Sequence, residues 1–195
     1  MALSFAAGTA SANRGLEVGS PGNITGTSRV TFEEAGGGGI ACNVTRVITL
    51  HRSIPKVLKT LIGYVREVRI GRPEECTARF PVTRILRIVI LELPWHLTYE
   101  GFGGTLPRIT EIRILVVRPG IRIEFRDFLG GTWLCLYQPA NQKTIARLDA
   151  TQRATEIRIE PELLPGSVEP GGKTCPEGSF SGTLRLSPQV TVRLI

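Results

Sequence analysis

The residues best suited to acid–base chemistry are few, and two of them lie close together. His96 and Glu100 are four positions apart in LPWHLTYEGFGG, so on a β-strand their side chains would share one face. A histidine beside a carboxylate can hold and transfer a proton, which makes a secreted hydrolase one hypothesis. The chain has one further histidine, His51, and no G-x-S-x-G motif to supply a nucleophile. We therefore predict that the protein is not an enzyme, with a His96/Glu100 hydrolase as an alternative.

The four cysteines are spaced for disulfides and not for a metal site. Zinc ligands usually come in close pairs such as C-x-x-C, and no two cysteines here are that close. Four cysteines allow three pairings. We favour the sequential pairing, because it gives each half of the chain one crosslink worth on the order of 3–4 kcal/mol. The predicted disulfides are Cys42–Cys76 and Cys135–Cys175, and no metal or cofactor is expected.

Arginine is the residue type that most suggests a ligand. The chain holds 20 Arg and 4 Lys, with a net charge of +7. Guanidinium groups form paired hydrogen bonds with phosphates and carboxylates, so an anionic cell-wall polymer is the expected partner. The arginines form no continuous basic run and no basic–aromatic pattern, so a nucleic-acid partner is not predicted. The candidate binding residues on strand faces are Arg66, Arg69, Arg84, Arg87, Arg113, Arg122 and Arg126.

One aromatic side chain suggests a different kind of binding surface. Phe102 lies in the glycine-rich segment 101–106, where we expect an exposed loop. Trp95 and Tyr99 alternate with polar residues and are expected in the core. A carbohydrate- or protein-binding adhesion module acting through Phe102 is therefore a second hypothesis, with an extracellular protein as a possible partner.

The elements that must position these residues are predicted to be β-strands. Apolar and polar residues alternate with a period of two in segments such as 121–126, 156–160 and 190–194. One buried and one solvated face is typical of antiparallel sheets. Glycine and proline turns separate these segments at fairly regular spacing. The chain is thus predicted to be all-β, an antiparallel sandwich or sandwich-like barrel.

One segment departs from this alternation. In residues 53–62 the apolar side chains recur with a period near 3.6. Ser53 is a suitable N-cap, Pro55 is tolerated in a first turn, and Gly63 can end a helix. A short amphipathic helix covering the core is therefore predicted for about 53–62.

The start of the chain suggests export. Residues 2–12 are small and apolar, and Ala10-Ser11-Ala12 fits a signal-peptidase site that would cleave before Asn13. We interpret residues 1–12 as a signal-peptide remnant and 13–195 as one β-rich domain. The expected location is secreted or at the cell surface, where disulfides persist.

Two further features concern the architecture of the domain. A glycine turn, an apolar residue and a cysteine occur in GGGGIAC and again in GGTWLC, so the halves 13–93 and 94–195 could be pseudo-repeats. The longest aliphatic segment, 85–93, is too short to cross a membrane as a helix, and no transmembrane segment is predicted. If that segment lies at a sheet edge, it could pair with a second copy, so a self-assembling surface or filament subunit is another hypothesis.

Three stretches carry a resemblance to other proteins. ALSFAAGTASANR (2–14), LPWHLTYEGFGGTLPRI (93–109) and FSGTLRL followed by VTVRLI (180–195) resemble secreted β-rich, two-disulfide proteins of actinobacterial genomes that have no assigned activity. The resemblance implies export and an all-β build, and it transfers no catalytic or binding residue. Together with the arginine pattern, it predicts an exported, non-catalytic binding or structural protein of the cell envelope or extracellular space.

Overall fold

The alternating segments form β-strands throughout the part of the chain that the structure describes. The computed structural model describes residues 15–19, 22–168 and 175–195, so the proposed signal remnant lies outside the described residues. The strands are β1 (Leu16–Gly19), β2 (Asn23–Glu34), β3 (Gly39–Leu50), β4 (Ser53–Ile54), β5 (Leu61–Ile70), β6 (Thr77–Arg79), β7 (Val82–Leu91), β8 (Trp95–Gly103), β9 (Glu111–Val117), β10 (Gly120–Asp127), β11 (Thr132–Tyr137), β12 (Asn141–Leu148), β13 (Arg153–Ile159), β14 (Leu163–Leu164), β15 (Ser167–Val168) and β16 (Gly178–Leu194). A single 3-10 turn, Pro73–Glu75, interrupts these strands in the described ranges.

Eight of the strands close into a barrel-like sheet. Their order is β13-β12-β9-β8-β5-β3-β2-β16, and β16 pairs back onto β13. Every pairing is antiparallel, which confirms the all-β antiparallel prediction. The short strands β1, β4, β6 and β14 extend this sheet at its margins. Strands from both halves of the chain contribute to the closed sheet.

The inner face of the closed sheet carries the larger core. Buried apolar residues lie opposite each other on neighbouring strands, for example Ile24 with Ile48 and Leu97 with Val116. Such cross-strand pairs of β-branched and aliphatic side chains are the packing unit of a sheet. The polar residues between them point to the outer face. The sequence alternation therefore separates an apolar interior from a solvated exterior.

A second, four-stranded sheet has the order β15-β11-β10-β7. Its inner face contributes Ile123 and Phe125 of β10 to a second core, which also contains Phe32 and Ile40 of the long β2–β3 hairpin. The two sheets therefore pack through apolar side chains. The outer face of the four-stranded sheet points away from this core.

The two disulfides are those predicted. Cys42 of β3 is bonded to Cys76, which directly follows the 3-10 turn, with the two Cα atoms 4.4 Å apart. Cys135 of β11 is bonded to Cys175, with a Cα–Cα distance of 5.6 Å. The first bond ties a connecting segment to the closed sheet, and the second ties the segment before β16 to the four-stranded sheet.

The helix predicted at 53–62 is wrong. The segment begins with β4, turns, and enters β5 at Leu61. The Lys59 amide donates to the Tyr99 carbonyl at 2.7 Å, so the backbone bonds across the sheet and not within a helical turn. Val57 and Leu58 are 62% and 63% exposed, so they do not cover the core. Among the described residues, no helix is long and apolar enough to cross a membrane.

Candidate functional site

Four of the predicted arginines lie on one surface, the outer face of the four-stranded sheet. On β10, buried Ile123 and Phe125 point to the core, so Arg122, Glu124 and Arg126 point outward. The neighbouring strand β7 contributes two more outward side chains. We call Arg84, Arg87, Arg122 and Arg126, with Glu124 between them, the arginine face.

A β-bulge brings both β7 arginines to this face. Arg84 and Arg87 are three positions apart, and in a regular strand they would point to opposite faces. In β7 the residue Leu86 is extra, because Arg87 pairs with Glu124 while Ile85 pairs with the next residue of β10. The bulge re-aims the side chains beyond it, so Arg84 lies directly opposite Arg126.

The charges of the arginine face are poorly balanced within the face itself. Four arginines and one glutamate give a formal charge of +3. Glu124 lies opposite Arg87, but Arg84 lies opposite Arg126, and like charges in that position repel. Among the described residues, no carboxylate forms an ion pair with Arg84, Arg87 or Arg126. Arg84, Arg87 and Arg126 are all exposed to solvent.

The arginine face has the dimensions of an extended binding surface. Arg122 and Arg126 are four residues apart on β10, which corresponds to about 13 Å along the strand. Half-buried Leu134 and Leu136 of β11 lie beside Glu124 and Arg122 and continue the surface with apolar side chains. The surface can therefore contact several anionic groups of one molecule at the same time.

The other three predicted arginines lie elsewhere. Arg66 is exposed at a bulge in β5, and Arg69 of the same strand is paired with Glu67. Arg113 of β9 donates to the Phe102 carbonyl at 3.0 Å and lies 3.4 Å from the Glu111 carboxylate. Of the seven arginines that the sequence predicted as binding residues, the fold therefore brings four together on one surface.

Arg69 borders a polar groove on the outside of the closed sheet that the sequence did not indicate. A cross-strand row runs from Arg185 through Thr27 and Thr45 to Arg69. With Arg29 on the next row, these residues line an open groove of about 960 Å³. The groove depends on the register of four strands, which single-strand alternation does not reveal. It is a second surface with arginines and hydroxyl groups.

Phe102 does not occupy the predicted loop tip. It lies within β8, is half-buried, and packs against the larger core. The Lys56 ammonium lies 5.9 Å from its ring. The expectation of an exposed aromatic at 102 is therefore wrong, because β8 continues through Gly103 and the turn follows it.

His96 and Glu100 do not form a hydrogen bond or an ion pair in the described structure. Glu100 is the extra residue of a bulge in β8, so it has no cross-strand partner on β9. The His96 ring instead packs edge-on against Tyr64, with the ring centroids 5.3 Å apart. Within the described ranges, no group of three His, Cys, Asp or Glu side chains could hold a metal ion.

A scan against models of protein families, a search of curated proteins and a search of solved structures found no match to this chain. The arginine face and the grooves of the protein therefore supply the grounds for a function.

Proposed function

We propose that the protein binds an anionic polymer of the cell envelope or extracellular space through the arginine face. The observation that carries this proposal is the cross-strand opposition of Arg84 and Arg126 on a surface that also holds Arg87 and Arg122. An anionic ligand between the two strands would remove the repulsion between these side chains. The proposal assigns a binding role and no catalytic step.

The chemistry of the side chains favours phosphate or carboxylate groups as the ligand. A guanidinium group is planar and carries a fork of donors that matches both groups with two parallel hydrogen bonds. The backbone ladder between β7 and β10 fixes the positions on the two strands from which the four side chains project. A repeating anionic chain fits this arrangement better than a single small anion, because it can occupy several arginines at once.

An extracellular location is part of the proposal. The two disulfides are consistent with an oxidising compartment, since such bonds are rare in the cytosol. An exported protein with a net charge of +7 would meet cell-surface polymers that carry the opposite charge.

Co-sedimentation of the oxidised protein with isolated actinobacterial cell walls, at low and high salt, tests the proposal. The variant Arg84→Gln/Arg126→Gln removes the opposed pair. Exposed contacts between ions contribute roughly 0.5–1 kcal/mol each, so its affinity should fall about fivefold to thirtyfold. Binding of the unmodified protein should also weaken sharply with salt, because exposed charges are screened.

A charge-matched control distinguishes the effect of losing arginines from the arginine face from the effect of lowering the net charge. Arg147→Gln/Arg193→Gln removes two exposed arginines that lie opposite glutamates on other strands, so it lowers the net charge equally. This control should retain nearly full binding. Equal losses in both double variants, or binding that is insensitive to salt, would contradict the arginine face as the site.

The polar groove provides the competing location for the same ligand class. Arg29→Gln/Arg185→Gln removes two of its guanidinium groups without touching the four-stranded sheet. A selective loss in this variant would move the binding site to the groove and overturn the assignment to the arginine face.

A further inference from the structure

A second pocket lies at the edge of the molecule where three turns meet. It is apolar and acidic, whereas the arginine face is basic. The turns are the one after β2, the Phe80-Pro81 turn before β7, and the β10–β11 hairpin. They enclose a cavity of about 510 Å³, which we call the end pocket. The Phe128 amide donates to the Pro81 carbonyl at 3.1 Å, which fastens the hairpin to the turn before β7. The Ala35 amide donates to the Glu177 carbonyl at 2.9 Å, which fastens the turn after β2 to the segment before β16.

The wall of the end pocket is apolar and aromatic. Trp133 and Phe125 stack with an interplanar angle of 4° and ring centroids 6.2 Å apart. At the rim, Phe128 and Leu129 are 55% and 77% exposed, which is unusual for adjacent large apolar side chains. A cavity of this size with mostly apolar walls and a few polar groups has the properties of a small-molecule site.

Asp127 holds this wall in place. One of its carboxylate oxygens, Oδ1, accepts hydrogen bonds from the Leu129 amide at 3.0 Å and the Gly131 amide at 2.7 Å. The other, Oδ2, accepts from the Trp133 indole at 2.8 Å. The hairpin backbone and the indole ring are therefore fixed before any ligand arrives.

Glu34 is the polar group of the end pocket that has an oxygen without a hydrogen-bond donor. It is 8% exposed, and its Oε1 atom is buried without a hydrogen bond from any described residue. Gly38 leaves space for this carboxyl group, because a Cβ there would lie 2.8 Å from Glu34 Oε2 and 2.6 Å from Pro81 Cδ. A buried carboxyl group without a donor is costly, so its presence in a pocket indicates a missing donor.

We infer that the end pocket binds an organic cation with an apolar body, such as an aryl- or alkylammonium group. Of the described residues that line it, two are acidic and none is Lys, Arg or His, in a chain with a net charge of +7. An ammonium group would donate to the Glu34 carboxylate. The apolar body would contact Phe128 and Leu129, and the ring faces of the wall would add a cation–π contribution.

The charge of the ligand can be tested with two probes of matched shape. Benzylammonium and benzyl alcohol differ mainly in charge, and the fluorescence of Trp133 reports on the pocket, while Trp95 lies in the other core. The unmodified protein should bind benzylammonium about tenfold to a hundredfold more tightly than benzyl alcohol, as expected for a hydrogen bond to a charged group. Equal affinities, or no response to either probe, would overturn the inference.

Two variants locate the effect at Glu34. Glu34→Gln should abolish the preference for the charged probe and leave the affinity for benzyl alcohol unchanged. The control Glu33→Gln removes the adjacent exposed carboxylate, whose Oε1 lies 3.7 Å from Nη1 of Arg79, and should retain the preference. A preference that persists in Glu34→Gln would refute the role of this carboxylate.

A third variant tests the location of the site even if Glu34→Gln does not fold. Phe128→Ala/Leu129→Ala changes only the exposed rim, so the fold should be preserved, and both probes should bind about tenfold more weakly. Unchanged affinity for both probes in this variant would place the binding elsewhere. Because the arginine face plays no part in these measurements, they are independent of the proposed polymer binding.

Discussion

Replacing Glu34 by glutamine should make the protein more stable at neutral pH. The Glu34 carboxyl is buried, and one of its oxygens has no donor among the described residues. An unsatisfied buried polar group costs roughly 1–3 kcal/mol, and more when it is charged. Glutamine keeps the shape but removes the charge, so we expect a gain of about 1–2 kcal/mol in the free energy of unfolding at pH 7.

The sign of the pH dependence follows from the direction of the pKa shift. Burial raises the pKa of Glu34 above its ordinary value of 4.5, so the folded state holds this proton more tightly than the unfolded state does. The corresponding stabilisation is complete below about pH 4.5 and is lost as the pH rises through the raised pKa. The difference between Glu34→Gln and the unmodified protein should therefore grow from acidic to neutral pH.

The neighbours of Glu34 do not reverse this expectation. Burial is the main cause that raises the pKa of Tyr137, and the negative charge of Glu34 raises it further, so Tyr137 stays neutral across this range. Asp127, the other carboxylate of the end pocket, is held by hydrogen bonds to the hairpin in both proteins. The change with pH in the stability difference between the two proteins, from pH 4 to 7, is therefore assigned to Glu34 itself.

Urea unfolding of both proteins, followed by circular dichroism from pH 4 to 8, measures the effect. The control Glu33→Gln should change the free energy of unfolding by less than about 0.5 kcal/mol, because Glu33 is exposed. A Glu34→Gln variant that is less stable at pH 7, or a difference that does not vary with pH, would refute the reasoning.

Three further predictions concern stability and association. Cys135→Ala/Cys175→Ala opens a loop with a sequence separation of 40 and should lower the free energy of unfolding, measured in urea, by about 4 kcal/mol. Arg46→Met should raise the melting temperature, since burial lowers the pKa of Arg46 to about 10 and its Nε has no hydrogen-bond partner in the described structure. The Arg46 guanidinium lies 6.0 Å from the centre of the Trp95 ring, and a lower melting temperature in Arg46→Met would contradict the prediction. Arg87→Val should increase self-association in analytical ultracentrifugation. In the described sheet β7 pairs with β10 alone, and the charged side chains of β7 protect its free edge from pairing with a second copy. An unchanged mass at all concentrations would argue against edge pairing.

Much of the fold could be predicted from the sequence because its signals are local. The two-residue alternation identified the strands, and the spacing of the cysteines favoured the pairing that the structure has. The prediction of a helix at 53–62 was wrong for a physical reason. The helical spacing of this segment was outweighed by two backbone hydrogen bonds with Tyr99, which lies on a distant part of the chain. The Lys59 amide donates to the Tyr99 carbonyl, and the Tyr99 amide donates to the Thr60 carbonyl.

The sites were harder to predict because they depend on register and on bulges. Arg84 and Arg87 share a face only because Leu86 is an extra residue, and a similar bulge leaves Glu100 without a cross-strand partner. No local pattern reports a bulge of this kind. The end pocket joins Glu34 to Asp127 across more than ninety positions, so only the packed structure brings them together.

The closed sheet has a consequence for synthesis of the chain. Strand β16 follows all other described strands, yet it pairs with both β2 and β13 and so completes the ring. Until Gly178–Leu194 leaves the ribosome, both of those strands have an open edge on which a neighbouring nascent chain could pair. A truncated product that ends before Gly178 should therefore depend on chaperones and be prone to aggregation. A chain that includes β16 can pair the open edges of β2 and β13 within the same molecule.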